Sequence, residues 1–170
     1  MGITLKNPII VGASNLVQDV KNLKKLEQVG ASAIVYKSLF EEQIQLESLE
    51  MQNDLESYEN WDPEHATLFP DLEHAGPAEF LMHLKEAREV LNIPLFASLN
   101  AVYEASWIDY AKKISETGVA GIELNFYHHE NDFDKTSEQI ENEQLHILKK
   151  VKEVVNIPVS VKLSPYYTNT

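Results

Sequence analysis

Four short apolar segments each carry a polar group at or near the C-terminal end, and those groups are of types that can do chemistry. Ile34-Val35-Tyr36 runs into Lys37, and Leu95-Phe96-Ala97 into Ser98 and Asn100. Gly121-Ile122 runs into Glu123 and Asn125, and Pro158-Val159-Ser160-Val161 into Lys162. A sheltered lysine amine can add to a carbonyl and form a Schiff base, which is aldolase-type chemistry on Lys162, and a nearby cation such as Lys37 lowers the amine pKa as that chemistry needs. The same two lysines could instead pair with Glu123. His128 and His129 stand beside Glu130 and Asp132, but adjacent residues on a loop point apart and no His-x-x-x-His spacing occurs, so no metal site is expected. His65, His74, His83 and His146 read as surface or satisfied polar residues.

The elements that must position these groups are strands. Alternation puts Glu123 and Asn125 on one face of a strand and Ile122, Leu124 and Phe126 on the other. A strand covered on both faces is otherwise apolar throughout. Polar groups gathered at the C-terminal ends of parallel strands are how α/β barrels build active sites.

Pro8–Ser14 reads as the first strand, ending in small residues that either admit a ligand to the backbone or simply make a tight turn. A helix over Asp19–Val29 has Val20, Leu23, Leu26 and Val29 on one face and Gly30 as its C-terminal cap. Ala33–Lys37 is the second strand. An acidic insertion of about residues 40–72 follows, with some helix suggested by Ile44 and Leu46 and breaks at Pro63 and Pro70, in the place of a lid or an oligomer contact. Helices are expected from Pro77 through Leu91, over Glu104–Thr117 and over Thr136–Val155. Asn92-Ile93-Pro94 and Asn156-Ile157-Pro158 each lead into a strand, a faint internal echo of helix–turn–strand units. The tally is five strands alternating with helices: a single partial domain, residues 1–170, carrying about the first five units of a (β/α)8 TIM barrel. A closed barrel needs eight strands and about 250 residues, so a C-terminal portion is expected to be missing.

The net charge of −13 argues against nucleic acid or an anionic membrane as partner and leaves a small-molecule substrate. The absence of cysteine excludes disulfides and thiolate sites and fits a cytoplasmic protein. No run of about 18 apolar residues is present.

Asn7-Pro8-Ile9-Ile10-Val11-Gly12-Ala13-Ser14, Gly30-Ala31, Val35-Tyr36-Lys37-Ser38, Ile122-Glu123-Leu124-Asn125 and Pro158 to Pro165 together resemble the dihydroorotate dehydrogenase-like family. The resemblance implies an FMN-dependent oxidoreductase that passes hydride from a CH–CH group of dihydroorotate or a similar substrate, as in pyrimidine biosynthesis, to the flavin. It implies that Ala13 and Ser14 lie against the flavin and its ribityl chain, that Lys37 and Ser38 reach the ring edge, that Asn125 hydrogen-bonds the ring and that Lys162 sits by its pyrimidine part. A fixed ammonium there would stabilise reduced flavin. The family's base position is occupied by His128, which can act near neutral pH, so His128 and Lys37 are the expected catalytic residues. Two alternatives stand beside this: a Schiff-base lyase on Lys162, and a non-catalytic half-barrel, possible as a homodimer, because the phosphate grip of such barrels comes from loops after strands seven and eight.

Overall fold

Runs rich in β-branched and aromatic residues alternate with longer amphipathic runs, and a chain so patterned folds into strands and covering helices. The computed structural model describes residues 1–46, 77–127 and 134–164. In chain order these form β1 (Ile10–Val11), a 3-10 turn (Asn15–Val17), α1 (Val20–Gln28), β2 (Ala33–Val35) and β3 (Leu39–Phe40). Then come α2, helical over residues 41–46, α3 (Pro77–Val90), β4 (Leu95–Asn100), α4 (Glu104–Ser115), β5 (Gly121–Phe126), α5 (Ser137–Val154) and β6 (Val159–Leu163). Most of the expected insertion, residues 47–72, lies outside the described residues, as does His128.

The sheet runs β1-β2-β4-β5-β6, with β3 also paired to β4, and each described pair is parallel. The first strand is shorter than the expected Pro8–Ser14, because only Ile10 and Val11 find partners, in Ala33 and Ile34. The expected second strand, Ala33–Lys37, stops at Val35, and β3 follows it as a further short strand. Val35 pairs with Phe96 and Leu39 with Leu99, so four steps on one strand oppose three on the other. That extra residue is a bulge, and it reverses the alternation of faces. Val35 belongs to the inward cluster with Phe96, whereas Leu39, an even number of residues later, packs outward with Leu99.

One face of the sheet carries the main core. Ile34, Leu95, Leu99, Ile122 and Leu124 are buried there among Leu23, Leu84, Ile114 and Val151 of the helices. Each such side chain stabilises the fold by about 1.5–3 kcal/mol relative to exposure. Local signals fix the helix ends. The Asp19 carboxylate accepts the Lys21 N–H at 2.7 Å to cap α1, and Gly30 ends that turn at φ 109°. Thr136 and Gln139 make a reciprocal capping box on α5. The start of α4 is capped from a distance: the buried Glu41 carboxylate accepts the Val102 and Tyr103 N–H groups at 2.8 and 3.4 Å and the Ser106 hydroxyl at 2.8 Å. Burial alone would raise the Glu41 pKa, but hydrogen bonds from Val102, Gln45, Ser106 and Tyr103 outweigh it and hold the carboxyl below its ordinary value.

The opposite face points away from the helices. Near the N-terminal ends of the strands it is apolar: Ala33, Val35 and Phe96 are buried, with Ile3, Leu5 and Ala13 packed on them. Gly121 is required in this layer, since a Cβ there would meet the Pro158 carbonyl oxygen at 2.8 Å and the Phe96 ring at 3.0 Å.

Candidate active site

The C-terminal half of that inward face holds the polar groups. Register sets which of them meet: Ser98 lies opposite Glu123, and Asn125 opposite Lys162. The Lys162 Nζ donates to Glu123 Oε1 at 3.1 Å, and the Ser98 hydroxyl reaches the same oxygen at 3.5 Å. Ser98 and Ser38 share a hydrogen bond of 2.7 Å, and the Asn125 Nδ2 donates to Ser98 at 2.8 Å and to Ser38 at 3.4 Å. One hydrogen-bonded chain therefore crosses the sheet from β6 through β5 and β4 to the bulge. The bulge is what turns Ser38 inward, toward Ser98. The Asn125 Oδ1 is buried and has no hydrogen-bond partner among the described residues, a cost of about 1–3 kcal/mol in a protein interior.

Lys162 and Glu123 form an ion pair within this polar layer. Its charges cancel, so it is tolerated on an inward face where a lone ammonium would be costly. The Lys162 side chain remains 43% exposed while Glu123 is 20% exposed, so the amine faces the open side. Tyr127 stands over it, with the ring centroid 5.7 Å from the Nζ.

The other expected site residues go elsewhere. Lys37 donates to the Gln18 side chain at 3.1 Å, and the neighbouring Tyr36 hydroxyl reaches the Gln18 carbonyl at 3.3 Å, so the end of the 3-10 turn captures both. Lys37 and Lys162 thus have separate partners. Ala13 fills the apolar layer against the Val35 and Phe96 cluster, and Ser14 leads into the 3-10 turn, its carbonyl accepting the Val17 N–H at 3.3 Å. Sequence reasoning singled out Lys162, Ser38 and Asn125 as flavin contacts and Glu123 as a partner for the lysines, but gave no role to Ser98 or Tyr127. The available signal for Ser98 was a hydroxyl in an otherwise apolar strand.

No family model matches the chain, and no curated protein matches it in sequence. Solved structures do match. A dihydrodipicolinate synthase from Bacillus anthracis has TM-score 0.58 and 17% identity over 98% of this chain and 49% of its own. A chloride-inhibited dihydrodipicolinate synthase from Acinetobacter baumannii, complexed with pyruvate, has TM-score 0.55 and 19% identity over 97% of this chain and 48% of its own. A prophage protein of the dihydrodipicolinic acid synthase family from E. coli K12, also in complex with pyruvate, has TM-score 0.56 and 14% identity, covering 97% and 47%. The chain spans about half the length of the solved structures it matches.

These neighbours overturn the dihydroorotate dehydrogenase-like expectation. With it go FMN as cofactor, hydride transfer from a CH–CH group and a place in pyrimidine synthesis. The site gives the physical reason. The ammonium expected to stabilise reduced flavin is neutralised by Glu123, Lys37 is held by Gln18, Ala13 is packed into an apolar layer, and the Asn125 amide donors are spent on serines. His128 lies outside the described residues. What the likeness does establish is the fold: the chain is an α/β half-barrel of parallel strands, a partial (β/α)8 barrel of the architecture seen in the dihydrodipicolinate synthases.

Proposed function

We propose that the chain is part of an aldolase-type lyase in which Lys162 forms a Schiff base with a small keto acid. The observation that carries this is the Lys162–Glu123 pair, 3.1 Å apart on the inward face, with Lys162 next to the C-terminal end of β6 and Glu123 midway along β5. In barrels that end is where reacting groups collect. The pyruvate in two structural neighbours supplies the substrate class for the proposal.

The chain's own groups are suited to the step. Lys162 gives its proton to Glu123, and the freed amine lone pair attacks the keto carbon to form a C–N bond. The oxygen then takes one proton from the newly bonded nitrogen and one back from Glu123 and leaves as water, so ketone and ammonium become iminium and water and Glu123 is again a carboxylate. The Ser98 hydroxyl steadies the carboxylate while it is charged. The resulting iminium draws electrons from the adjacent carbon, where a C–C bond forms or breaks. Lys162 is the nucleophile in this reading and Glu123 the proton carrier; Ser38, Ser98 and Asn125 position Glu123.

Among the described residues no helix is long and apolar enough to cross a membrane. A cytoplasmic setting and a homodimer belong to the proposal as well. The test is borohydride reduction in the presence of pyruvate, followed by peptide mass mapping. One reduced adduct on the peptide carrying Lys162 is expected, lost in Lys162→Met and slowed in Glu123→Gln. An adduct on a different lysine, or an undiminished one in Lys162→Met, would end the proposal.

A further inference from the structure

Two lysines come from the sheet itself: Lys162 within β6, and Lys37 in the bulge between β2 and β3. Every other lysine lies on a helix or in a loop outside the sheet. The two differ in what holds them. Lys162 meets the Glu123 carboxylate, which cancels its charge. Lys37 meets an amide: among the described residues its partner is the Gln18 side-chain oxygen, at 3.1 Å. An amide oxygen accepts one of the three ammonium protons and orients the group, but it leaves the charge whole and two donors unspent. The Lys37 side chain is half-buried, and its neighbours in the chain supply no anion. Tyr36 keeps its proton, since burial first and Glu86 second push its pKa up to about 12. Ser38 is spent on Ser98 and Asn125.

Lys37 also belongs to the polar layer of the inward face. Val35 faces inward opposite Phe96, and alternation puts Lys37 on the same side, level with Ser98 and Glu123. Ser38, next to it in the chain, ends the hydrogen-bonded row that starts at Lys162 and passes through Glu123 and Ser98. The two ammonium groups thus bracket that row, one neutralised and one not. Three strand spacings lie between them, about 14 Å along the sheet. We propose that Lys37 binds a carboxylate at the end of the substrate remote from its carbonyl, so that the site takes keto acids with a second, distal acid group in preference to monoacids. One ammonium with two free donors balances a single negative charge, which suits a carboxylate better than a phosphate dianion. The proposal rests on the Schiff-base reading for the reacting end of the substrate, and on Lys37 alone for the remote end. Gln18 is the positioning residue, holding the ammonium in place without quenching it.

Two measurements on the full chain test this and separate it from the Schiff-base chemistry. The first is borohydride trapping with 2-oxoadipate against 2-oxohexanoate, which have the same number of carbons and differ at the remote end, carboxylate against methyl. Half-saturation is expected at about tenfold lower concentration for 2-oxoadipate, as one charge-assisted hydrogen bond gives. That preference is expected to vanish in Lys37→Met and to survive in Lys37→Arg, which keeps the charge. The second uses the unaltered chain and adipate, which has no keto group to react. Adipate is expected to slow acetylation of Lys37 by acetic anhydride saturably, read by peptide mass mapping, while the exposed Lys24 of α1 reacts as before. Protection of Lys37 without any keto-acid adduct would uphold the carboxylate site and remove the Schiff-base reading. Adducts formed equally well from both keto acids, or acetylation of Lys37 that adipate leaves unchanged, would overturn the proposal.

Discussion

The inward face of the sheet is built in two layers by the same strands, and they solve opposite problems. Phe96 lies opposite Gly121, and two residues further along Ser98 lies opposite Glu123. In the first layer a large ring fills the space that a missing side chain leaves, and Ile3, Leu5 and Ala13 close it off. In the second layer Ser38, Ser98, Glu123, Asn125 and Lys162 satisfy one another almost completely, with the Asn125 oxygen left over. Apolar packing is non-directional and adapts in small shifts, whereas polar groups inside a protein are tolerable only with partners in the right place. The first layer therefore determines whether the sheet forms, and the second holds the groups of the proposed chemistry.

Truncating the first layer is expected to have the largest effect. Phe96→Ala removes a buried ring and should cost about 3–5 kcal/mol in urea unfolding. A cost near that of a surface change would mean that the N-terminal residues do not close this layer. Gly121→Ala presses a methyl on the Pro158 carbonyl and the Phe96 ring and should cost about 1–3 kcal/mol. The double variant with Phe96→Leu should recover part of that loss, by making room. In the second layer, Ser98→Ala strips the Asn125 amide of its nearest acceptor and should cost about 1–3 kcal/mol. It should also slow Lys162 trapping more than Gly121→Ala does at equal folded fraction.

Glu41 offers a check outside both layers. Its carboxyl titrates lower in the folded chain than in the unfolded one, so the unfolded state binds a proton first as pH falls. Its contribution to stability is present above the ordinary carboxylate pKa and lost as pH drops through the folded value. Glu41→Gln is therefore expected to flatten the acid side of the stability–pH curve, measured by urea midpoints from about pH 6 to about pH 3. The smallest expected effect on stability is that of Lys162→Met, under about 1 kcal/mol, since the pair is partly exposed and screened. Loss of the trapped adduct with so little loss of stability would sharpen the contrast between the layers; a cost comparable to Phe96→Ala would erase it.

Much of the architecture was legible from local pattern. The expected helices fall within a few residues of α1, α3, α4 and α5, because amphipathic period and caps such as Asp19 and Gly30 act over single turns. Of the site, Lys162, Ser38 and Asn125 could be picked out as polar groups in apolar strands. Their roles could not, since a side chain's chemistry depends on the groups it meets.

Sequence alone determined the alternation of strands with helices and the parallel, barrel-type sheet it requires, since both follow from periodicities of two and 3.6 residues. Tertiary structure decided the rest. The extra residue between Val35 and Leu39 turned Ser38 inward, the 3-10 turn drew Lys37 to Gln18, and the register of β5 against β6 set Lys162 beside Glu123. A shift of one residue in pairing moves every side chain to the other face, and pairing partners dozens of residues apart leave no trace in local pattern.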